Sequence, residues 1–442
     1  MKGLRSVTPT RTFALSLFAF IGVSAFAWKE PATGDRAGNS NAIGRPKAAA
    51  CAPATEVTLL QFNTVRAVIE GGGNVWQRRQ QSLPGYEVPK AELPAAPWSN
   101  PCAIYAGGLW MGGLSSSGQL KVAAVTYRQS GNDFWPGPLN RTDASTDAAI
   151  CLAYDKFWTT ERAEAEAHIA WANCAGDPLC LTQLFGDAGY SIPADFISWP
   201  ALGDPEAGQD LYLAPFADLN GNGEYEPFNG EYPDYGFNQT VLECKSRQST
   251  DPVPLFGDHN IFWIFNDKGD AHTESNSLFP IGLEVRAQAF AFSSNNEINN
   301  MTFYNYTVIN WASQALDSTY FGHYVDADLG CSNDDFAGCD VRRGLGYVYN
   351  WQDVDNGCLG SLGYGGPAPP PPAIGVDFFE GPYQDNDGVD NPGPVTDVDF
   401  YPCDLARQNH GIPYKGLGLG YGDSIPDNER FGMRAYIYYN RS

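Results

Sequence analysis

The stretch from Asp218 to Glu226, which reads DLNGNGEYE, places oxygen-bearing side chains at alternate positions around Gly223. This spacing is typical of a loop that wraps a calcium ion, because Ca²⁺ takes about six to eight oxygen ligands in a flexible geometry. The expected ligands are the side chains of Asp218, Asn220, Asn222 and Glu226 and the backbone carbonyl of Glu224. A glycine at the centre allows the sharp turn that such a loop requires.

The loop departs from an EF-hand at its twelfth position, where Asn229 stands in place of the bidentate glutamate. Glu231 lies just beyond it and replaces that ligand only if the loop is longer than usual. The sequence therefore predicts a calcium loop of the DxNxNG type without the flanking helices of an EF-hand.

Two further acidic clusters extend the prediction of metal binding. The first surrounds Cys331 and contains Asp326, Asp328, Asn333, Asp334, Asp335 and Asp340; the second reads DNDGVDN and contains Asp385, Asp387, Asp390 and Asn391. Carboxylates held close together repel one another unless a cation neutralises them. The predicted calcium ligands are Asp326, Asp328, Asp334 and Asp335 in one cluster and Asp385, Asp387 and Asp390 in the other, and the alternative is a solvated acidic turn.

The N-terminus has the pattern of a secretory signal peptide over residues 1–27. Basic residues precede an apolar run, and a small-x-small cleavage site at Ala25-Phe26-Ala27 follows it. The run is too short to span a membrane comfortably, and no later segment approaches about 18 uninterrupted apolar residues. We expect a mature chain without a transmembrane segment, secreted or displayed on the outer cell surface.

The chain has 10 cysteines, an even number that in an exported protein favours disulfides over zinc ligands. No CxxC pair is present. The predicted bonds are Cys331 to Cys339 and Cys174 to Cys180, since each pair encloses a short polar loop, and the pairing of the other six cysteines stays open.

The formal net charge is −24, and removing the basic signal peptide makes the mature chain more acidic still. Such a charge argues against nucleic acid and anionic membrane surfaces as partners. It favours cations, and the expected partners are surface glycans or other cell-surface proteins.

The pattern along the chain predicts a mostly β fold, with β-sandwich-like sheets, long irregular loops and one helical insertion near residues 159–173. From Leu59 onward, short apolar or alternating runs are broken by Gly, Pro, Asn and Asp. In the run from Leu283 to Ala291 every second residue is apolar, which is the period of a strand. After the signal peptide we predict a flexible leader (28–55), an N-terminal β-rich region with the helical insertion and the calcium loop (56–255), and a second β-rich region (256–442).

Motifs for catalysis are scarce. The sequence contains no HExxH, no GxSxG and no phosphate loop, so no catalytic residue can be named. His259 and His272 flank one strand-like run, but isolated histidines more often have a structural role. The many tryptophans and tyrosines favour a sandwich core over exposed sugar-binding rings.

Several strings resemble a family of large surface proteins that bacteria export through the type IX secretion system. They are GYEVP (85–89), AGGLWMGG (106–113), KVAAVTYRQSGNDFWPGP (121–138), YLAPFADLNGNGEYEP (212–227), VDADLGCSNDDFAGCD (325–340), LGYVYN (345–350) and GVDFFEGP (375–382). The resemblance implies export and surface display rather than a particular reaction. Such proteins continue into further β domains and a C-terminal sorting domain, so the chain is expected to be a fragment or a truncated product.

The leading hypothesis is a calcium-stabilised, disulfide-bonded secreted or cell-surface protein with a structural or adhesive role and no identifiable catalytic site. The alternative is a secreted polysaccharide-binding protein or glycoside hydrolase that uses exposed aromatic residues and a pair of carboxylates.

Overall fold

The computed structural model describes residues 51–127, 130–237, 253–277, 279–340, 343–355, 358, 362–383, 388–389, 429–433 and 436–438. All of these residues belong to one compact unit. The fold is mostly β, as predicted.

Most of the regular structure consists of strands. They are β1 Val57–Leu60, β2 Arg66–Glu70, β3 Asn74–Val75, β4 Gln77–Arg78, β5 Leu83–Pro84, β6 Tyr86–Glu87, β7 Cys102–Ile104, β8 Ala106–Ser115, β9 Leu120–Ala123, β10 Trp135–Pro136, β11 Trp158–Glu161, β12 His259–Asn266, β13 Leu283–Ala291, β14 Phe303–Asn310, β15 Leu316–Asp326, β16 Asp335–Asp340, β17 Leu345–Asn350 and β18 Ala373–Asp377. The α-helices are α1 Ala148–Ala153, α2 Arg162–Asn173, α3 Pro178–Phe185 and α4 Ala194–Ile197, with 3₁₀ turns at Arg79–Gln81, Gly186–Ala188, Pro227–Asn229 and Glu297–Asn300.

The strands form three antiparallel sheets and a small β4–β5 hairpin. The first sheet has the order β15-β8-β3-β2-β6-β7, with β1 paired to β2 and β9 paired to β8. The second has the order β10-β12-β13-β14, with β11 paired to β12, and the third has the order β16-β17-β18. Strands of the predicted regions 56–255 and 256–442 share sheets, since β8 pairs with β15 and β11 with β12.

The first two sheets pack face to face. The alternate residues Leu283, Val285, Ala287, Ala289 and Ala291 of β13 lie in one buried cluster with apolar residues of the first sheet, so the predicted strand face is the core face. The opposite face of the second sheet is covered as well. There Phe262 and Ile264 of β12 pack with Phe196, Trp199 and Tyr232 of the helical insertion and the loops that follow it.

The insertion contains four short helices, and the predicted helix begins at Arg162 rather than at Thr159. Residues 158–161 are instead strand β11, which pairs with β12 and places the Thr160 hydroxyl 2.8 Å from the Tyr235 hydroxyl. Glu161 and Glu164 then form a capping box that starts the helix. Among the described residues, no helix is long and apolar enough to cross a membrane.

A charged histidine joins the first two sheets. His272 Nδ1 lies 2.6 Å from the carbonyl oxygen of Val122, and its Nε2 lies 2.6 Å from the carbonyl oxygen of Asp267. Because a carbonyl oxygen only accepts, both ring nitrogens must carry a proton, so His272 is an imidazolium. Burial opposes this charge, but the hydrogen bond and charge of Asp267, together with the charge of Asp133, raise the pKa of His272 to about 9.

Candidate metal centres

The loop predicted to bind calcium is shaped by hydrogen bonds from its own backbone to Asp218. The Asp218 carboxylate accepts N–H groups from Gly221 at 2.7 Å, Asn222 at 3.2 Å and Gly223 at 2.8 Å. These backbone donors, led by that of Gly223, lower the pKa of Asp218. Gly223 has a φ of +77°, which a residue with a side chain rarely adopts.

The other oxygen-bearing side chains of the loop converge on Glu226. Asn220 Nδ2 and Asn222 Nδ2 each lie 2.9 Å from Glu226 Oε2. Their Oδ1 atoms accept the N–H groups of Asn222 and Glu224 at 2.9 and 2.8 Å. Four of the five predicted ligands are therefore linked within one turn of chain, and the carbonyl of Glu224 stays a predicted ligand.

Glu231 is almost completely buried and binds the backbone at both ends of the loop. Its Oε1 accepts the N–H of Leu219 at 3.1 Å, and its Oε2 accepts the N–H of Glu226 at 2.8 Å. Both oxygens bind backbone on opposite sides of the loop. Glu231 thus fixes the loop geometry, a role different from the replacement ligand considered from the sequence.

The loop is attached to the helical insertion. The Tyr225 hydroxyl donates to the carbonyl oxygen of Phe196 at 2.9 Å. Gly230, with a φ of +101°, packs so close to α2 that an added Cβ would lie 2.6 Å from the Cβ of Ala172. Any ligand that orders the loop therefore also stabilises the layer that covers the second sheet.

The second predicted cluster gathers at the start of β16. Asp335 accepts the N–H of Leu329 at 3.0 Å through Oδ2. Burial raises the pKa of Asp335 to about 7, opposed by the Leu329 hydrogen bond and reinforced by the charges of Asp328, Asp334 and Asp355. Asp326, in contrast, is hydrogen-bonded to Tyr324, and Asp340 forms an ion pair with Arg343.

This cluster contains buried oxygens that lack a hydrogen bond. Three Oδ1 atoms are inaccessible to solvent and have no hydrogen-bond partner among the described residues. They belong to Asp334, Asp335 and Asn350. A buried polar oxygen without a partner costs about 1–3 kcal/mol. The carboxylates of Asp328, Asp334 and Asp335 do not form a compact ligand group, because among the described residues only Cys331, Asp355 and Cys358 bring three such ligand atoms within 4.8 Å of one another.

The name aspartate cluster is used below for Asp328, Asp334, Asp335, Asn350 and Asp355. The sequence pattern did not indicate two of these residues, Asn350 and Asp355. Asn350 lies opposite Asp335 in the β16–β17 register, and its amide donates to Asp355. The other Asp355 oxygen accepts the N–H of Tyr364 at 2.7 Å. The β16–β17 register brings Asn350 beside Asp335, and no local spacing in the sequence points to either Asn350 or Asp355.

The predicted bond between Cys331 and Cys339 is wrong, because the structure joins Cys331 to Cys358, and Cys339 has no bond to another described cysteine. Cys339 lies within strand β16, whereas Cys331 lies in the turn before that strand and is bonded to Cys358. The observed bond lies beside Asp355. One carboxylate oxygen of Asp355 lies within 4.8 Å of both sulfur atoms.

The other expected bond, Cys174 to Cys180, is present, and a further bond joins Cys51 to Cys151. These three bonds are compatible with a disulfide-bonded extracellular protein. The third predicted cluster, Asp385, Asp387 and Asp390, lies outside the described residues.

Comparison with protein-family models, with curated proteins and with solved structures finds no match for this chain. The function therefore has to be inferred from the residues and their geometry.

Proposed function

We propose that the protein is a calcium-stabilised, disulfide-bonded secreted or cell-surface protein with a structural or adhesive role. The observation that carries this proposal is the loop at residues 218–231. Its carboxylate and amide side chains are linked within one turn, and buried Glu231 fixes the backbone on both sides.

At this loop, Asp218, Asn220, Asn222 and Glu226 would hold the ion with their side chains, and Glu224 with its carbonyl. Calcium supplies two positive charges that hard oxygen ligands prefer. The loop is preformed by the hydrogen bonds to Asp218, so little backbone ordering remains when the ion binds. The role of the ion would be to fasten the loop to the helical insertion.

The aspartate cluster is the second proposed calcium site. The segment that contains this cluster contacts two sheets. The N–H of Gly330 donates to the carbonyl of Cys102 in β7 of the first sheet at 2.9 Å, and Asp335 begins β16 of the third sheet. A cation there would hold the third sheet against the first. We also retain calcium at Asp385, Asp387 and Asp390 as part of the proposal.

The export signal and the resemblance to type IX secreted proteins support a location outside the cell, where disulfides persist. Millimolar extracellular calcium makes even weak sites useful there. Surface glycans or other cell-surface proteins are the proposed partners.

Calorimetric titration with Ca²⁺ tests the proposed loop site. We expect the double variant Asp218→Ala, Asn222→Ala to bind calcium at that loop at least 100-fold more weakly, because it removes one charged ligand and one amide ligand. A matched control is Asp204→Ala. The Asp204 carboxylate also caps an exposed turn, accepting the N–H groups of Glu206 and Ala207 at 2.8 and 3.3 Å. The control should bind calcium as the natural protein does, and unchanged binding in the double variant would contradict the proposal.

A further inference from the structure

The outer face of the third sheet carries a row of exposed aromatic rings. Tyr347, Tyr349 and Trp351 follow one another at alternate positions and are 37%, 46% and 68% exposed. Phe336 lies opposite Tyr349 in the β16–β17 register. These four residues are called the aromatic strip below. The other face of the sheet holds Val348, which is buried in the sandwich core.

Tyr349 is stacked against both Tyr347 and Phe336. Tyr347 and Tyr349 have centroids 6.4 Å apart with planes 26° apart, and Tyr349 and Phe336 have centroids 6.0 Å apart with planes 23° apart. The ring centroids of Trp351 and Phe336 are 5.5 Å apart. The N–H of Trp351 donates to the carbonyl of Asp334 at 2.8 Å, so the ladder that positions the strip extends to this residue.

Glycine on the neighbouring strand lets Tyr347 lie across the sheet. A Cβ added at Gly338 would lie 2.5 Å from the end of the Tyr347 ring. On the other side, Tyr347 and Tyr349 face Gly375 and Ala373 of β18. These small residues leave a shallow floor beside the rings.

The charges on this face select the kind of partner. Asp340 and Asp377 are at positions of the same parity as Phe336 and Gly375, so their carboxylates lie on the outer face beside the strip, where Asp340 is paired with Arg343 at 3.6 Å. Carboxylates accept hydrogen bonds from hydroxyl groups and repel anionic polymers. Base stacking by a nucleic acid is further opposed by the net charge of −24.

We propose that the aromatic strip binds a neutral polysaccharide chain whose sugar rings stack on Tyr347, Tyr349 and Trp351. The C–H faces of a sugar suit the negative face of an aromatic ring, and the hydroxyl groups around the sugar edge suit the flanking carboxylates. From Tyr347 to Trp351 the strip covers about 13 Å, at roughly 3.3 Å per residue, which is longer than one sugar ring. This inference defines the partner in the proposed adhesive role but does not depend on calcium binding.

Affinity electrophoresis in gels containing soluble cellulose, xylan, mannan or β-1,3-glucan derivatives tests the inference. We expect at least one neutral polysaccharide to retard the natural protein. Tyr349→Ala and Trp351→Ala should each weaken that binding about tenfold, while the control Tyr320→Ala, which removes a 58% exposed tyrosine from β15, should leave it unchanged. Gly338→Ala keeps every ring but displaces Tyr347, and it should also weaken binding. Circular dichroism verifies that each variant is folded.

Three results would overturn the inference. They are the absence of retardation by every neutral polysaccharide, retardation that the strip variants do not change, and a dimer in sedimentation analysis that Trp351→Ala converts to monomer. The last result would assign the strip to a second copy of the chain. Repeating the gels with EDTA separates this test from the calcium proposal, because polysaccharide binding that persists without calcium supports the strip whatever the loop binds.

Discussion

Chelation of calcium with EDTA is expected to lower the melting temperature of the protein by several degrees. Each proposed site, at a free calcium concentration about 100-fold above its dissociation constant, stabilises the folded state by about 2.7 kcal/mol. About 1 kcal/mol shifts the melting temperature of a domain of 150–250 residues by about 2–4 °C, and somewhat less for a larger unit. Differential scanning calorimetry with and without EDTA measures the effect.

Restoration of the ion provides the controls for this result. Calcium should restore the melting temperature, whereas magnesium should restore little, because Mg²⁺ demands a stricter octahedral geometry than a flexible acidic loop provides. A variant that combines Asp218→Ala and Asn222→Ala with Asp334→Asn and Asp335→Asn should respond to EDTA much less than the natural protein. A natural protein that melts at the same temperature with and without chelator would refute a stabilising role for calcium.

Raising the pH from about 6.5 to about 9 should destabilise the protein by roughly 3 kcal/mol through His272 alone. The ordinary pKa of histidine is 6.5, and Asp267 and Asp133 raise that of folded His272 to about 9. A raised pKa means that the folded state holds the proton more tightly. Its stabilising effect is therefore complete below the unfolded pKa and is lost as the pH rises through the folded value.

Urea unfolding at a series of pH values measures this effect. His272→Gln should be less stable at pH 6.5 and should show a much flatter dependence up to pH 9. His259→Gln is the control, because burial lowers the pKa of His259, the opposite direction from His272. A slope for His272→Gln equal to that of the natural protein would show that the imidazolium does not link the two sheets.

Local patterns in the sequence predicted the elements that depend on neighbouring residues alone. The alternation in Leu283–Ala291 gave both the strand and its core face, because each side chain of a strand points to the opposite face from its neighbour. The stretch from Leu59 to Ile69 is not one strand. It forms two paired strands, β1 and β2, since the Asn63 side chain accepts the N–H of Val65 and turns the chain between them.

The two proposed metal centres differ in how far apart their ligands lie in the sequence. The ligands of the 218–226 loop are neighbours in sequence, so their spacing was sufficient to bring them together. The aspartate cluster is assembled by the β16–β17 pairing, which brings Asn350 opposite Asp335, and by a disulfide to distant Cys358. Contacts made by strand register and by a distant cysteine leave no local spacing to recognise.

Anomalous diffraction from crystals grown with calcium tests the central claim most directly. We predict a calcium peak surrounded by Asp218, Asn220, Asn222, the Glu224 carbonyl and Glu226, with oxygen distances of about 2.3–2.6 Å. Well-ordered loop residues with no peak at this position, at millimolar calcium, would contradict the proposal.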